Sequence, residues 1–124
     1  MVAIKLPRNG RSVQTFARGQ SIFCEGQQGN TMYVVLEGEV DLMVNDQLVE
    51  KVGPGGVLGE MALVDAAPRS ATAVARNNCK LMYITQKRFS FLVQQTPDFA
   101  LQIMRVMAGR LRHMDQRLQT GAAD

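Results

Sequence analysis

Two neighbouring segments decide the fold: Val57-Leu58-Gly59-Glu60-Met61-Ala62-Leu63 and, six residues later, Arg69-Ser70-Ala71-Thr72. Gly59 and Ala62 carry little or no side chain, so an anion can reach the backbone N–H groups at the start of a short helix. The Arg69 guanidinium can hold that anion through two parallel hydrogen bonds, and the Ser70 hydroxyl lies beside it. Glu60 suits a sugar hydroxyl as an acceptor. The segments therefore predict a site for a phosphate attached to a sugar.

Upstream of these segments, glycines separate short runs of β-prone residues. Eight of the eleven glycines lie between Gly19 and Gly59. The runs cover residues 21–24, 32–36, 40–44 and 48–52, and two more follow at residues 71–75 and 80–84. Asn45-Asp46 predicts a tight turn between two of them. The pattern indicates a mainly β fold with helices (α+β), a double-stranded β-helix or jelly-roll-like β-roll over residues 13–84.

The pattern changes to helical spacing after residue 84. Thr85 can cap a helix that continues to Gln95. Thr96-Pro97-Asp98 supplies a cap, a first-turn proline and an acidic start for a longer helix that ends near Gln119. We therefore expect the β-roll to be followed by two C-terminal helices within residues 85–120.

The longer helix carries an apolar stripe. Its members are Met104, Met107, Leu111, Met114 and Leu118. Their steps alternate between three and four residues, as in the seam of a coiled coil. The stripe predicts either a homodimer through this helix or packing of the helix on its own barrel, and barely two heptads leave both interpretations open.

The whole pattern resembles the cyclic nucleotide-binding domain family, to which protein kinase A regulatory subunits, nucleotide-gated channels and catabolite-activator-type regulators belong. The resemblance covers residues 13–118 and includes the glycine-rich residues 25–40 and the Pro97-Asp98 helix start. It implies that Glu60 binds the ribose 2′-hydroxyl and that Arg69 binds the cyclic phosphate. The neighbouring ligand-binding residues that it implies are Gly59, Met61, Ala62, Ser70 and Ala71.

The resemblance also places part of the last helix over the base. Alignment on Pro97-Asp98 puts Arg110 and Leu111 there, Arg110 as a contact to the base or phosphate and Leu111 as an apolar lid. A solvated arginine and a core leucine remain open alternatives. Ser70 stands where cyclic-GMP-selective members often carry threonine, so cyclic AMP is the expected ligand and cyclic GMP the alternative.

The predicted function is a cytoplasmic sensor domain that signals by movement of its C-terminal helices. The alternative is a degenerate fold of the same kind that serves protein association without ligand. At 124 residues we expect one domain over residues 1–124. We find no signal-peptide pattern and no apolar run of membrane-spanning length.

Other functional classes fit the sequence poorly. His113 is the only histidine, so neither a metal site nor a nucleophile with a histidine base is expected, and the chain is not predicted to be an enzyme. Cys24 and Cys79 lack metal spacing and each lies in an apolar run, which favours reduced core cysteines. The net charge of +3 accompanies no helix-turn-helix candidate beyond the long helix, so no nucleic-acid partner is expected for this chain alone.

Overall fold

The computed structural model describes the backbone of residues 12–122 and the side chains of residues 12–112. In chain order the elements are β1 (Val13–Phe16), β2 (Ser21–Phe23), β3 (Thr31–Glu37), β4 (Val40–Val44), β5 (Gln47–Val52), β6 (Val57–Leu58), α1 (Glu60–Asp65), β7 (Thr72–Ala75), β8 (Cys79–Thr85), α2 (Gln86–Gln95) and α3 (Pro97–Ala122). They form two four-stranded antiparallel sheets, ordered β1-β8-β3-β6 and β2-β7-β4-β5. The predicted β-roll with one short helix and two C-terminal helices is confirmed.

An apolar core lies between the two sheets. The first sheet contributes Val35, Leu58 and Leu81, and the second contributes Val40, Val52 and Ala73, all at most 1% exposed. Burial of one large aliphatic side chain is worth about 1.5–3 kcal/mol, so this cluster is a main source of the stability of the roll.

Strands β3 and β8 are covered on both faces. In β3, Val35 packs between the sheets, whereas Met32 and Val34 pack in a second cluster with Leu92 of α2 and Phe99 of α3. Because successive residues of a strand face opposite sides, a strand buried on both sides is apolar throughout. This explains the unbroken apolar run in β3, and it places α2 and α3 on the outer face of the first sheet.

The predicted turn and helix starts follow local rules. Asn45 and Asp46 have φ values of 51° and 62°, the conformation that a two-residue hairpin turn requires. The Thr85 side chain accepts a hydrogen bond from the Arg88 backbone N–H at 3.2 Å and caps α2. The Thr96 carbonyl oxygen accepts from the Phe99 N–H at 2.9 Å in the first turn of α3.

Helix α3 presents different apolar residues to its own barrel and to the surface. Met107 is half-buried against the cluster that includes Phe99, whereas Met104 and Leu111 are 55% and 54% exposed. Met107 thus packs on the barrel of its own chain, whereas Met104 and Leu111 do not, and the homodimer through this helix stays a prediction. Met114 and Leu118 lie outside the described side chains, as does His113.

The two cysteines differ in environment. Cys79 is buried, and burial raises the pKa of its thiol above the ordinary value. Cys24 is exposed, because β2 ends at Phe23 and the chain leaves the sheet there. The prediction of a core cysteine is therefore wrong for Cys24, and both thiols are free. Among the described residues, no helix has the length and hydropathy needed to cross a membrane.

Candidate functional site

Helix α1 starts directly beside Arg69 because residue 59 is a glycine. Gly59 precedes α1 with φ 73°, in the left-handed region. A Cβ on Gly59 would lie 2.5 Å from Arg69 Nη1 and 3.2 Å from the Thr31 carbonyl oxygen. Only glycine meets both the conformational and the steric requirement. The Ala62 N–H donates to the Gly59 carbonyl oxygen at 3.3 Å and closes the first turn.

Backbone hydrogen bonds fix the position of Arg69 in the loop between α1 and β7. Its N–H donates to the Gln27 carbonyl oxygen at 2.8 Å, and its carbonyl oxygen accepts from the Gly26 N–H at 2.8 Å. Gly26 and Gln27 lie in the loop between β2 and β3. These two bonds therefore join loops that are distant in sequence, and they bring Arg69 against α1 and β3.

The Arg69 side chain is buried among neutral groups. It is 7% exposed, and its Cζ atom lies 4.3 Å from the centre of the Phe23 ring. Nη1 donates to the Gly59 carbonyl oxygen and Nη2 to the Thr31 hydroxyl oxygen, both at 3.3 Å. Both bonds are longer than a typical hydrogen bond to nitrogen. A guanidinium has five N–H groups, so three of those on Arg69 have no acceptor among the described residues.

The positive charge of Arg69 is only partly compensated. Within residues 12–112, Arg69 forms no ion pair. Burial lowers the pKa of its guanidinium below the ordinary value, while Tyr33 and Glu60 act in the opposite direction. The group remains a cation at neutral pH, because an arginine does not deprotonate in a protein. A buried cation with unused N–H groups favours an anionic ligand.

Gly29 leaves room along one side of the guanidinium. A Cβ on Gly29 would lie 2.5 Å from Arg69 Nε, 2.6 Å from Nη2 and 2.7 Å from Cζ. Those distances are too short for non-bonded atoms, so any side chain at residue 29 must displace Arg69. The lack of a side chain at Gly29 therefore allows the guanidinium to occupy its observed position.

Glu60 is held by an arginine from the last helix. Its side chain is 2% exposed, and its Oε1 accepts a hydrogen bond from Arg110 Nη1 at 2.6 Å. Arg110 also donates from Nε and Nη2 to the two Glu50 carboxylate oxygens, at 2.9 and 3.1 Å. Nη2 donates further to the Val57 carbonyl oxygen at 2.6 Å. Arg110 therefore connects α3 with β5, β6 and α1.

The charges around Arg110 stabilise its protonated form. Burial alone lowers the pKa of its guanidinium, but the hydrogen bonds and negative charges of Glu50 and Glu60 outweigh burial and raise the pKa above the ordinary value. One cation faces two carboxylates here, so the cluster carries a net negative charge. It is thus electrostatically opposite to the environment of Arg69.

The remaining predicted site residues occupy the edges of this region. Met61 is 36% exposed on α1, Ser70 is exposed and Ala71 is half-buried before β7. The two alternatives for the last helix are both wrong: Arg110 is not a solvated side chain, and Leu111 is exposed and not part of the core. Arg110 contacts Glu60, the residue predicted to bind ribose.

Four residues of this region were not predicted as site residues from the sequence. They are Phe23, Gly29, Thr31 and Glu50. Each is distant in the chain from the predicted site residue beside which it lies. Thr31 and Arg69, for example, are 38 positions apart. No local spacing rule connects such pairs, whereas Gly59 and Glu60 are neighbours in a recognisable turn.

Comparisons with known proteins show which domain family the chain resembles. The cyclic nucleotide-binding domain family matches residues 13–96. The chain is 32% identical over 108 residues to the cyclic AMP receptor protein of Thermus thermophilus, covering 83% of this chain and 50% of that protein. It is 36% identical over 81 residues to the cAMP-dependent protein kinase regulatory subunit of Eremothecium gossypii, covering 65% of this chain and 18% of the relative.

A solved structure is similar to this chain over most of its length. The crystal structure of the Thermus thermophilus catabolite activator protein matches with a TM-score of 0.77 and 30% identity, over 86% of this chain and 53% of that chain. The chain thus spans half or less of the length of the two relatives named above. The family match covers residues 13–96, which include Gly59, Glu60 and Arg69. This chain therefore belongs to the cyclic nucleotide-binding domain family.

Proposed function

We propose that the chain is a regulatory sensor domain that binds a cyclic purine mononucleotide, with cyclic AMP preferred and cyclic GMP as the alternative. The observation that carries the proposal is the buried Arg69 cation, which forms no ion pair with any described residue. In this proposal the cyclic phosphate accepts hydrogen bonds from Arg69 and lies beside Gly59, Ser70 and Ala71. Its negative charge neutralises the guanidinium.

The ribose is assigned to Glu60. Its carboxylate is buried, and Arg110 fixes its position through the 2.6 Å hydrogen bond. A carboxylate is an acceptor for a sugar hydroxyl, and a charge-assisted hydrogen bond of this kind is worth about 1.5–3 kcal/mol. The phosphate and the ribose would then lie on the two sides of the start of α1.

Signalling is assigned to α3. Arg110 belongs to α3 and bonds to Glu60, so a ligand that changes the environment of Glu60 also changes an anchor of the helix. Binding shifts the position of α3 only if the ligand has different affinities for its two positions. Contacts between the ligand and the Glu60–Arg110 pair supply such a difference. No chemical reaction is part of this proposal.

We also propose that α3 associates with a second copy of the chain. Leu101, Met104 and Leu111 are 43%, 55% and 54% exposed, and their spacing of three and seven residues places them on one side of the helix. The alternative of a ligand-free association domain keeps this surface and discards the nucleotide. The buried Arg69 supports the sensor, because an association domain has no need of an unpaired interior cation.

Isothermal titration calorimetry with cyclic AMP, cyclic GMP and cyclic di-GMP tests the proposal. We expect cyclic AMP to bind most tightly and Arg69→Ala to reduce its affinity by about 30-fold to several thousand-fold, the equivalent of 2–5 kcal/mol. Arg69→Lys should also bind weakly, because an ammonium lacks the planar pair of donors. The matched control is Arg76→Ala, since Arg76 is 45% exposed in an ion pair with Asp41. An affinity of Arg69→Ala within a few-fold of the parent would refute the phosphate assignment.

The ribose assignment has its own arm in the same titrations. We expect 2′-deoxy cyclic AMP to bind the parent poorly and to lose little more affinity in Glu60→Gln. Such non-additive losses indicate direct contact between the hydroxyl and the carboxylate. Additive losses would show that Glu60 does not bind the 2′-hydroxyl.

A further inference from the structure

Phe23 forms an aromatic support beneath the Arg69 guanidinium. Phe23 is the last residue of β2 and is 8% exposed. The Arg69 Cζ atom lies 4.3 Å from the centre of the ring, within the range of a cation–π interaction. The ring is itself held by Tyr33, whose ring lies 6.2 Å away at an interplanar angle of 30°. A side chain from β2 thus provides a rigid surface for the charged group.

The polar contacts of Arg69 do not fix its orientation by themselves. Its bonds to the Gly59 carbonyl oxygen and the Thr31 hydroxyl are both 3.3 Å long, near the upper limit for a hydrogen bond. A long arginine side chain has many rotamers, and their loss costs up to about 2 kcal/mol. The Phe23 ring contacts the guanidinium through its π face, which makes no hydrogen-bonding demand on the N–H groups. It can therefore hold the group while leaving those groups to a ligand.

We infer that Phe23 is a positioning residue for the anion site: its ring holds the Arg69 guanidinium in the binding-competent orientation before the ligand arrives. The inference rests on the proposed function for the identity of the anion as a cyclic phosphate. Phe23 acts through Arg69 and does not itself hold the nucleotide. Thr31 assists from β3 by limiting rotation within the guanidinium plane.

The expected effect follows from preorganisation. If the ring is removed, Arg69 occupies its competent orientation for a smaller fraction of the time, and the apparent dissociation constant rises by the same factor. A cation–π interaction in a partly desolvated site corresponds to roughly a fivefold to thirtyfold change. We therefore expect Phe23→Leu to weaken cyclic AMP binding by that factor.

The matched control for this variant is Phe16→Leu. Phe16 contacts the same Tyr33 ring edge-on at 6.5 Å and packs against the same core cluster. Within the described residues, the cation–π contact of Arg69 is with Phe23 and not with Phe16. Thermal unfolding of both variants measures how much each substitution disturbs the barrel. An affinity loss in Phe23→Leu alone, at comparable stability, supports positioning of Arg69.

A spectroscopic measurement tests the contact without any ligand. The ring current of Phe23 should displace the Arg69 Nε–H resonance from the usual position of arginine side chains in the NMR spectrum. The resonance is assigned by its loss in Arg69→Lys. We expect it to return towards the usual position in Phe23→Leu and to remain displaced in Phe16→Leu.

The two proposals fail in different ways. If the parent binds none of the cyclic nucleotides, the proposed function is wrong, while the Arg69 resonance still reports whether Phe23 holds the guanidinium. If the parent binds cyclic AMP but Phe23→Leu binds it as tightly as Phe16→Leu does, the positioning role is overturned. An Arg69 resonance at the usual position in the parent would overturn it as well.

Discussion

Removal of the Arg110 side chain tests whether the last helix is anchored at the site. We consider Arg110→Met, which retains an unbranched apolar side chain and deletes the guanidinium. The substitution leaves Glu60, 2% exposed, without its 2.6 Å partner and removes a donor from the Val57 carbonyl oxygen. It also releases the Glu50 carboxylate, which is 25% exposed.

The lost contacts with Glu60 and Glu50 differ in magnitude because the two carboxylates differ in burial, at 2% and 25% exposed. A buried charge that loses its partner destabilises a protein by about 3–5 kcal/mol. The contact with Glu50, whose carboxylate is 25% exposed, is partly screened by water, and its loss costs less than the loss of the Glu60 contact, about 1 kcal/mol. Since contributions within one network are not additive, we expect a loss of about 4 kcal/mol for Arg110→Met and at most about 1 kcal/mol for Glu50→Gln.

Urea unfolding of the ligand-free protein measures these differences as changes in the free energy of unfolding. The double variant Arg110→Met/Glu60→Gln identifies their cause. A neutral amide at residue 60 removes the unpaired charge, so we expect the double variant to be more stable than Arg110→Met by about 2 kcal/mol. If Arg110→Met lost no more stability than Glu50→Gln, or if the double variant showed no recovery, the proposed anchoring of Glu60 by α3 would be wrong.

Two further predictions concern the space beside Arg69 and the exposed side of α3. Gly29→Ala should weaken cyclic AMP binding at least tenfold with little loss of stability, because the three atoms nearest to its new Cβ all belong to the end of the flexible Arg69 side chain. As a control, Gly38→Ala should lower the melting temperature while leaving affinity unchanged, since Gly38 has φ 86° and its Cβ would lie 2.5 Å from a backbone oxygen. Calorimetry and thermal unfolding decide between these outcomes, and equal affinities for both alanine variants would contradict the first. Met104→Glu should shift the sedimentation coefficient from dimer to monomer without unfolding the chain, because Met104 is 55% exposed. A parent that already sediments as a monomer would rule out the proposed dimer.

Local chemistry made much of the fold predictable from the sequence. The Asn45-Asp46 hairpin turn and the Thr85 cap both depend on residues that are close together along the chain. The start of α1 at Gly59 is a local feature of the same kind, because one residue supplies the left-handed conformation before the helix. Glu60 was predicted as a site residue from this same segment, and Arg69 from the segment of residues 69–72 that follows it.

The tertiary structure decided which groups those site residues meet. Phe23 contacts Arg69 and Arg110 bonds to Glu60, although 46 and 50 positions separate the two pairs in the chain. No propensity or spacing rule determines such distances, because they depend on how the two sheets and α3 pack together. The sequence by itself determined that an arginine and a carboxylate were available for a ligand. Only the fold determined that Arg69 remains unpaired among the described residues while Glu60 is bound to α3.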